Sequence, residues 1–261
     1  MNLNLNNKNA LVSGSTAGIG KAIAIQLAKQ GANVTLLARD EEKLKKTLAE
    51  LSKTGNQNHS YIVADFAEPE VLKSKIKEAV KNTTYHILIN NTGGPKGGPL
   101  LEATTDEFEK AFSMHVLCNH LLVQALFPGM KAEKYGRIIN IISTSVKQPI
   151  DNLGVSNTIR GAVANWSKTL ANELGQFGIT VNNILPGFTE TGRLDDVITN
   201  AAKKQDVSEE KARLSMKNSV PARRFGQPEE LANAAGFLAS EAASYINGIN
   251  VPIDGGRTKS L

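Results

Sequence analysis

The segment "SGSTAGIG", residues 13–20, places Gly14, Gly18 and Gly20 at the spacing G-x3-G-x-G. It follows a short apolar run, "NALVS" (9–13), and leads into a stretch with the apolar spacing of a helix. Glycines at such a strand-to-helix turn let the backbone approach a pyrophosphate, whose charge the amides and dipole of the helix N-terminus stabilise. The segment predicts a nucleotide site, and the alternative is a tight turn with a structural role only.

The same strand-then-helix rhythm continues along almost the whole chain. Short β-type runs alternating with longer helical ones predict βαβ units and a parallel sheet covered on both faces. Right-handed crossovers then give an α/β fold, a Rossmann-like doubly wound sheet of about seven strands, with residues 1–261 forming a single domain. The predicted strands are residues 9–13, 33–38, 60–65, 86–91, 136–143, 179–185 and 248–254.

Two segments interrupt this rhythm. "NTGGPKGGPL" (91–100) is a Gly/Pro-rich stretch after the fourth predicted strand, and residues 192–222 form a long polar insertion with helical character. Ligands of parallel sheets bind at the carboxyl ends of the strands, so both segments are candidate walls of a site. The alternative is that they are ordinary polar loops.

Arg39 indicates which nucleotide the site prefers. It lies 19 residues after Gly20, at the end of the second predicted strand, where an acidic residue would bind the ribose hydroxyls of NAD. A guanidinium instead suits a 2′-phosphate by charge and by bidentate geometry, so the sequence predicts NADP rather than NAD. The alternative is a solvated arginine ahead of the acidic helix start "DEEKL" (40–44).

Composition excludes several other classes of protein. The 30 basic and 25 acidic residues give a net charge of +5, but they are spread along the chain, which indicates a solvated surface and no nucleic-acid partner. Cys118 is the sole cysteine, so no internal disulfide can form, and the start "MNLNLNNKNA" lacks the pattern of a secretory signal. No apolar run is long enough for a membrane span, and His59, His86 and His120 show no metal-ligand spacing. We expect a cytoplasmic protein with no membrane partner and no metal.

Three further segments carry a resemblance to a known family. "INNTGG" (89–94), "NNILPGFTET" (182–191) and "RFGQPEELANAAGFLASEAASYINGINVPIDGG" (224–256) resemble, with the glycine motif, the short-chain dehydrogenase/reductase family, in particular its 3-oxoacyl-[acyl-carrier-protein] reductases. Thr92 stands in the place of an alanine of the family pattern. The resemblance covers nearly the whole chain. It implies hydride transfer between NADP(H) and a carbonyl or alcohol, and a homodimer or homotetramer.

The resemblance also assigns residues to the cofactor. It implies Asp65 near the adenine, Asn91 near the ribose on the nicotinamide side, and residues 186, 187 and 191 at the carboxamide end. The complete predicted cofactor set is Ser13, Gly14, Ser15, Gly18, Ile19, Gly20, Arg39, Asp65, Phe66, Asn91, Gly93, Arg160, Pro186, Gly187 and Thr191.

The catalytic places of the family are mostly changed in this chain. The family uses a serine, a tyrosine, a lysine and an asparagine, and Ser143 matches the serine. In "SNTIR" (156–160), Ser156 occupies the tyrosine place and Arg160 the lysine place. His115 occupies the asparagine place, and Asn119, one helical turn later, is the nearest amide if the register differs.

These substitutions alter the expected chemistry. A tyrosine of pKa near 10 can be brought toward neutrality by an ammonium group, whereas a serine hydroxyl is far less acidic and shorter. Arg160 stays charged and can still hold ribose hydroxyls, so we expect cofactor binding without the usual proton transfer. One hypothesis is that Ser143 orients a carbonyl while Ser156, or a water in its place, relays a proton from His115. The alternative for His115 is a half-buried, hydrogen-bonded helix residue.

Three functions remain open at this point. The first is an NADP(H)-dependent oxidoreductase of small carbonyls or alcohols, with 3-oxoacyl thioesters as one substrate class. The second is a nucleotide-binding protein without turnover, acting as a sensor or assembly partner, and the third is elimination or isomerisation without hydride transfer. No motif names the substrate. Either an anionic substrate or solvent can account for five charges in and just after the insertion: Arg193, Arg213, Lys217, Arg223 and Arg224.

Overall fold

The computed structural model describes residues 1–53 and 55–260, and its centre is one parallel sheet of seven strands. The strand order β3-β2-β1-β4-β5-β6-β7 confirms the doubly wound α/β prediction. The strands are β1 (Asn9–Ser13), β2 (Asn33–Ala38), β3 (Ser60–Val63), β4 (Ile87–Asn90), β5 (Gly136–Ile141), β6 (Ile179–Pro186) and β7 (Asn250–Ile253).

Four predicted strands are two or three residues too long, and three of them for a common reason. Polar residues at the carboxyl ends of β3, β4 and β5 leave the ladder to form turns. Ser143, for example, is the N-cap of a short 3₁₀ helix, Thr144–Val146. Ile142 still donates from its backbone to Ile184, so the chain leaves the sheet directly before Ser143.

Helices cover both faces of the sheet, because each strand buries alternate side chains in opposite directions. Ala10 and Val12 of β1 belong to the core beneath the helices Gly18–Lys29 and Pro228–Ala239. Leu11 belongs to the core on the opposite face, beneath the helices Pro69–Asn82, Cys118–Ala132 and Gly154–Leu174. The helices are α1 (Gly18–Lys29), α2 (Glu41–Glu50), α3 (Pro69–Asn82), α4 (Thr105–Phe112), α5 (Cys118–Ala132), α6 (Gly154–Leu174), α7 (Gly192–Gln205), α8 (Glu209–Asn218) and α9 (Pro228–Ala239).

A row of asparagines crosses four strands within the core. Asn90, Asn140, Asn183 and Asn250 are paired in register from β4 to β7. Each amide donates to the next oxygen, at 2.8, 2.9 and 2.8 Å, and Asn140 also donates to Ser167 of α6 at 3.1 Å. Bonds of this kind offset the cost of burying amides and fix the relative positions of the strands. This asparagine ladder therefore positions the strand ends that follow it.

Two irregular segments lie beside the carboxyl ends of the strands. α4 and α5 are joined by a π-helical turn, Ser113–Leu117, and such turns occur frequently at functional sites. Residues 192–222 contain α7 and α8, as their helical character predicted, and these helices pack around a small apolar cluster that includes Leu194, Ile198 and Phe225. The insertion is therefore a folded lid with its own core.

Within the described part of the chain, no helix is both long and apolar enough to cross a bilayer. Across residues 1–53 and 55–260, no group of three or more His, Cys, Asp or Glu side chains is arranged to hold a metal ion.

Candidate active site

The glycine turn after β1 is locked to the end of β4. Ser13 Oγ accepts from the backbone N–H of Asn91 at 2.9 Å and lies 2.9 Å from the carbonyl oxygen of Ile89, to which it donates. The Asn91 amide donates to Gly14 O at 3.2 Å. Gly14 has φ of +58°, and a Cβ there would lie 2.6 Å from the carbonyl oxygen of Asn91. Only glycine fits this close approach.

The N-terminus of α1 is open to a ligand. Its N-cap, Ala17, provides no side-chain hydrogen bond and its first turn holds no acidic residue, whereas side chains cap α2, α4 and α8. The first amides of α1 therefore remain available to a phosphate. Gly18 has φ of +51°, and a Cβ on it would lie 3.1 Å from Thr191 Cγ2, so these two predicted cofactor residues meet.

The remaining residues of the motif hold the turn in place. Ser15 Oγ accepts from the backbone N–H of Leu37 at 3.1 Å, which ties the turn to β2. Ile19 packs against the core, and Gly20 lies so close to Gly14 O that a Cβ would be 2.2 Å away. These contacts fix the conformation of the glycine turn from the side of the core.

Arg39 is an exposed cation at the end of β2. Its side chain is 79% exposed at the end of β2, and Nη1 lies 3.6 Å from the Asp65 carboxylate. Such an exposed pair is weak and can reorganise around a ligand. Phe66 differs from expectation, because its side chain is only 6% exposed and packs in the core. A contribution of Phe66 to the cofactor site is therefore restricted to its backbone.

The carboxamide end of the predicted cofactor site lies where β6 ends. Pro186 is the last residue of β6, and the Gly187 backbone donates to Ile253 O at 3.0 Å. A Cβ on Gly187 would lie 2.6 Å from Asp254 Cα, so this turn packs directly against the end of β7. By contrast, a Cβ on Gly93, in the stretch after β4, would meet no atom within 4 Å.

Ser143 and Ser156 lie at the starts of two helical segments, the 3₁₀ helix after β5 and α6. Ser143 Oγ accepts from the backbone N–H of Ser145 at 3.1 Å, which leaves its own hydrogen free to donate. Ser156 lies in the first turn of α6, one turn before Arg160, and both serines are half-buried. The first serine is therefore suited to donate to a substrate oxygen.

Arg160 is a buried cation without an acidic neighbour. Its side chain extends from α6 to the end of β5, where Nη1 donates to Ile141 O at 3.2 Å, and the residue is 8% exposed. No carboxylate of the described residues lies within 4 Å of its guanidinium. Burial lowers the pKa of Arg160 to about 10, and the charge of Arg193 acts in the same direction. The group stays positively charged at neutral pH.

His115 does not fit the role of proton source. It lies in the π-helical turn and is 2% exposed. Burial, and secondly the charge of Arg160, lower its pKa to about 3, although a backbone contact with Gly93 acts in the opposite direction. The imidazole is neutral near pH 7, so the structure favours the buried helix residue over the proton donor. Asn119, the other candidate, is also buried, and its Oδ1 has no hydrogen-bond partner among the described residues.

None of the four tyrosines replaces the missing one. Tyr135 is buried and donates to Ala239 O at 2.6 Å, and burial raises its pKa to about 12. Tyr85 donates to Thr35, and Tyr61 donates to Glu41. Tyr245 is fully exposed and lines a surface hollow with Gly178, at the amino end of β6. The hydroxyl groups of Tyr61, Tyr85 and Tyr135 are thus all engaged elsewhere in the fold.

One contact across the cleft was not foreseen from the sequence. Arg193, at the start of α7, donates from Nη2 to Pro95 O at 3.3 Å and so joins the lid to the Gly/Pro-rich stretch after β4. A Cβ on Gly94 would lie 3.6 Å from Arg160 Nη2. The two guanidiniums thus meet adjacent residues of one loop. From the sequence alone, Arg193 was one of five basic residues in and just after the lid, and nothing distinguished it from the other four.

Comparison with known proteins identifies the family. Residues 14–258 match the family described as Enoyl-(Acyl carrier protein) reductase, which covers the glycine turn, the catalytic places and the lid. The chain belongs to the short-chain dehydrogenase/reductase family. Among its members, the NADPH-dependent reductase BacG of Bacillus subtilis is 29% identical over 98% of this chain and 100% of its own length. The 3-oxoacyl-[acyl-carrier-protein] reductase FabG of Staphylococcus epidermidis is 33% identical over 96% of this chain and 98% of its own length.

Solved structures of the short-chain dehydrogenase/reductase family show the same architecture. The L-sorbose reductase of Gluconobacter frateurii, solved with NADPH and L-sorbose, superimposes with a TM-score of 0.93 at 32% identity, covering 100% of both chains. YwfH, an NADPH-dependent reductase involved in bacilysin biosynthesis, superimposes with a TM-score of 0.92 at 29% identity. The match covers 97% of this chain and 99% of YwfH. The cofactor named for these reductases agrees with the one that Arg39 predicts.

Proposed function

We propose that this protein is an NADP(H)-dependent oxidoreductase that interconverts a carbonyl and an alcohol without the tyrosine and lysine of its family. The single observation that carries the proposal is the un-neutralised guanidinium of Arg160, held at the end of β5 two residues from Ser143. Burying this charge costs free energy, and near Ser143 the charge can stabilise an alkoxide that develops on a substrate oxygen. The conserved family architecture around an open α1 N-terminus supports a bound nucleotide.

The cofactor site has the features that NADP(H) requires. The amides of α1 suit the pyrophosphate, and Arg39 suits the 2′-phosphate. Bound NADPH supplies the hydride. Arg160, in the place of the family lysine, can donate to ribose hydroxyls through N–H groups that its bond to Ile141 leaves free.

The protein's own groups then stabilise the charge that develops on the substrate oxygen. Ser143 donates its hydroxyl hydrogen to the carbonyl, and the positive field of Arg160 stabilises the developing alkoxide, which a preorganised charge in a desolvated site does effectively. Ser156 carries a hydroxyl that can relay a proton from solvent, since His115 is neutral and no tyrosine is placed to act. This mechanism requires electrostatic stabilisation rather than a strong acid.

The test is a fluorescence titration of the protein with NADPH and with NADH, followed by oxidation of NADPH against a panel of small ketones and 3-oxoacyl thioesters. The double variant Ser156→Tyr with Arg160→Lys is assayed beside the parent. We expect selective NADPH binding and measurable reduction of at least one carbonyl by the parent. Tight NADPH binding with turnover only in the double variant would instead support the sensor function, and no binding of either nucleotide would refute both.

We also propose that the protein forms a homo-oligomer, as its family resemblance implies. Phe112 and Leu117, which flank the π-helical turn, are 42% and 47% exposed, and Trp166 of α6 is half-buried beside His120. A dimer or tetramer in light scattering would agree with the proposal, and a monomer at micromolar concentration would contradict it.

A further inference from the structure

We propose that Arg160 and Arg193 form a subsite for an anionic group of the substrate, and that this group is a carboxylate. The inference rests on the proposed function, because it names the class of carbonyl compound that the same site accepts: a ketone that also carries a carboxylate. This subsite lies between the stretch after β4 and the first turn of α7.

The first step is the state of Arg160. The side chain is more than nine-tenths buried, yet its hydrogen bond to Ile141 uses only one of the five N–H groups of a guanidinium. Its Nη2 lies near Gly94, since a Cβ on that glycine would be 3.6 Å from it. A buried cation is costly unless it is paired, and the described residues provide no carboxylate partner within 4 Å. A ligand anion would provide that partner.

The second step is that the arginines in and just after the lid differ in whether a carboxylate neutralises them. Arg213 is neutralised by Glu190 at 3.1 Å and by Asp195 at 2.9 Å, and Arg224 is neutralised by Glu230 at 2.6 Å. Arg193 has no carboxylate of the described residues within 4 Å and contacts the carbonyl of Pro95 instead. It is thus an exposed cation with no acidic partner among these residues, and its contact Pro95 is next to Gly94, which lies near Arg160 Nη2.

The third step is that both guanidiniums lie beside the same loop. Arg193 contacts Pro95 and Arg160 lies beside Gly94, so the two guanidiniums flank one loop, and the charge of Arg193 disfavours that of Arg160. α7 begins at Gly192, and its N-cap, Thr191, provides no side-chain hydrogen bond to the first turn. The helix therefore adds a partial positive charge beside Arg193. Two guanidiniums and a helix N-terminus converge where an anion would remove their mutual repulsion.

The shape of the two donors favours a carboxylate. Each guanidinium presents planar, paired N–H groups that match carboxylate oxygens. A phosphate of the cofactor is the other source of anionic oxygens. The pyrophosphate, however, has its own site at α1, and the 2′-phosphate has Arg39. The ribose hydroxyls that Arg160 can also bind are neutral, so a substrate is the source of an anion that remains for this pair.

The experiment measures binding without turnover. Protein saturated with NADP⁺ cannot reduce a ketone, so calorimetric titration with acetoacetate and with its neutral analogue methyl acetoacetate compares only affinities. We expect acetoacetate to bind at least about tenfold more tightly than the ester, as charge-assisted hydrogen bonds imply. Arg193→Gln should abolish that preference while leaving the affinity for NADP⁺ unchanged.

A matched control removes the same charge from the same helix. Lys204→Gln changes an exposed residue in the last turn of α7 and should retain the full preference for acetoacetate. Equal affinities for acid and ester, or no saturable binding of either probe to the NADP⁺ complex, would overturn the subsite. So would a loss of NADP⁺ affinity in Arg193→Gln, which would assign the pair to the cofactor. Failure of the parent to bind NADP⁺ would refute the proposed function as well.

Discussion

Arg160 donates from Nη1 to the carbonyl oxygen of Ile141 at 3.2 Å, so α6 delivers a positive charge to the end of β5. In a lysine-containing relative the same helix position would carry a flexible point charge, whereas a guanidinium is planar and keeps several donors directed into the cleft. The substitution at this position therefore changes the geometry of the charge and retains its sign.

Replacing this charge should separate stability from binding. Arg160→Met keeps much of the side-chain length and removes an unpaired buried charge, so we expect the ligand-free protein to gain about 1 kcal/mol in free energy of unfolding. We expect NADPH affinity to fall at least about tenfold, because the ribose loses charge-assisted donors. Urea unfolding and fluorescence titration measure the two effects. A less stable variant with unchanged NADPH affinity would show that Arg160 serves the fold.

Arg39 should determine the choice between the two nicotinamide cofactors. Arg39→Glu places a negative charge where we propose that the 2′-phosphate binds, so we expect the dissociation constant for NADPH to rise at least about tenfold and that for NADH to change little. Lys29→Glu makes the same change in charge at the far end of α1 and should leave both constants as they were. Equal weakening of both cofactors by Arg39→Glu would remove the basis for NADP selectivity.

The glycine turn should tolerate no side chain at its first position. Gly14→Ala sets a Cβ 2.6 Å from Asn91 O at a φ of +58°, so we expect loss of at least about 2 kcal/mol of stability together with nucleotide binding. In Gly161→Ala the new Cβ meets no atom within 4 Å, in the middle of α6. That variant should gain up to about 1 kcal/mol. Thermal unfolding of both variants tests the pair, and a tolerated Gly14→Ala would contradict the structure.

His115 should make the fold sensitive to mild acid. Its folded-state pKa of about 3 lies below the ordinary 6.5, so between these values the unfolded chain binds a proton that the folded chain does not. Stability from His115 is therefore full above pH 6.5 and declines as the pH falls, by about 2 kcal/mol at pH 5. His115→Gln should reduce the loss of stability between pH 7.5 and pH 5 by that amount. An unchanged loss in urea unfolding would mean that His115 is not held neutral.

The order of the secondary structure was readable from the sequence, because apolar runs of strand length alternate with helical spacing. All seven strands were located, and the glycine turn was correctly placed between β1 and α1. Strand ends were less accurate, because pairing stops where polar residues such as Ser143 and Asp65 form local turns. Periodicity records which residues face the core and does not record where a ladder of hydrogen bonds stops.

The candidate site was only partly predictable for a different reason. Matching positions placed Ser143, Ser156 and Arg160 together, but the burial of Arg160 depends on packing between α6 and β5 that no local pattern reports. The π-helical turn around His115 has no readable signal, and the neutral imidazole follows from the desolvation that this position imposes. The Arg193–Pro95 contact joins residues far apart in the chain. Side-chain electrostatics could therefore not be anticipated from residue identity.

The asparagine ladder has a consequence for folding during synthesis on the ribosome. The side-chain N–H of Asn183 donates to Asn250, and α1 packs in one core with α9, which lies far along the chain from it. The glycine turn emerges from the ribosome before β7 and α9. Until those elements follow, the nascent chain carries an unfinished sheet edge and an uncovered α1, a state in which exposed apolar surface attracts chaperones. The core beneath α1 is accordingly complete only after α9 has been synthesised.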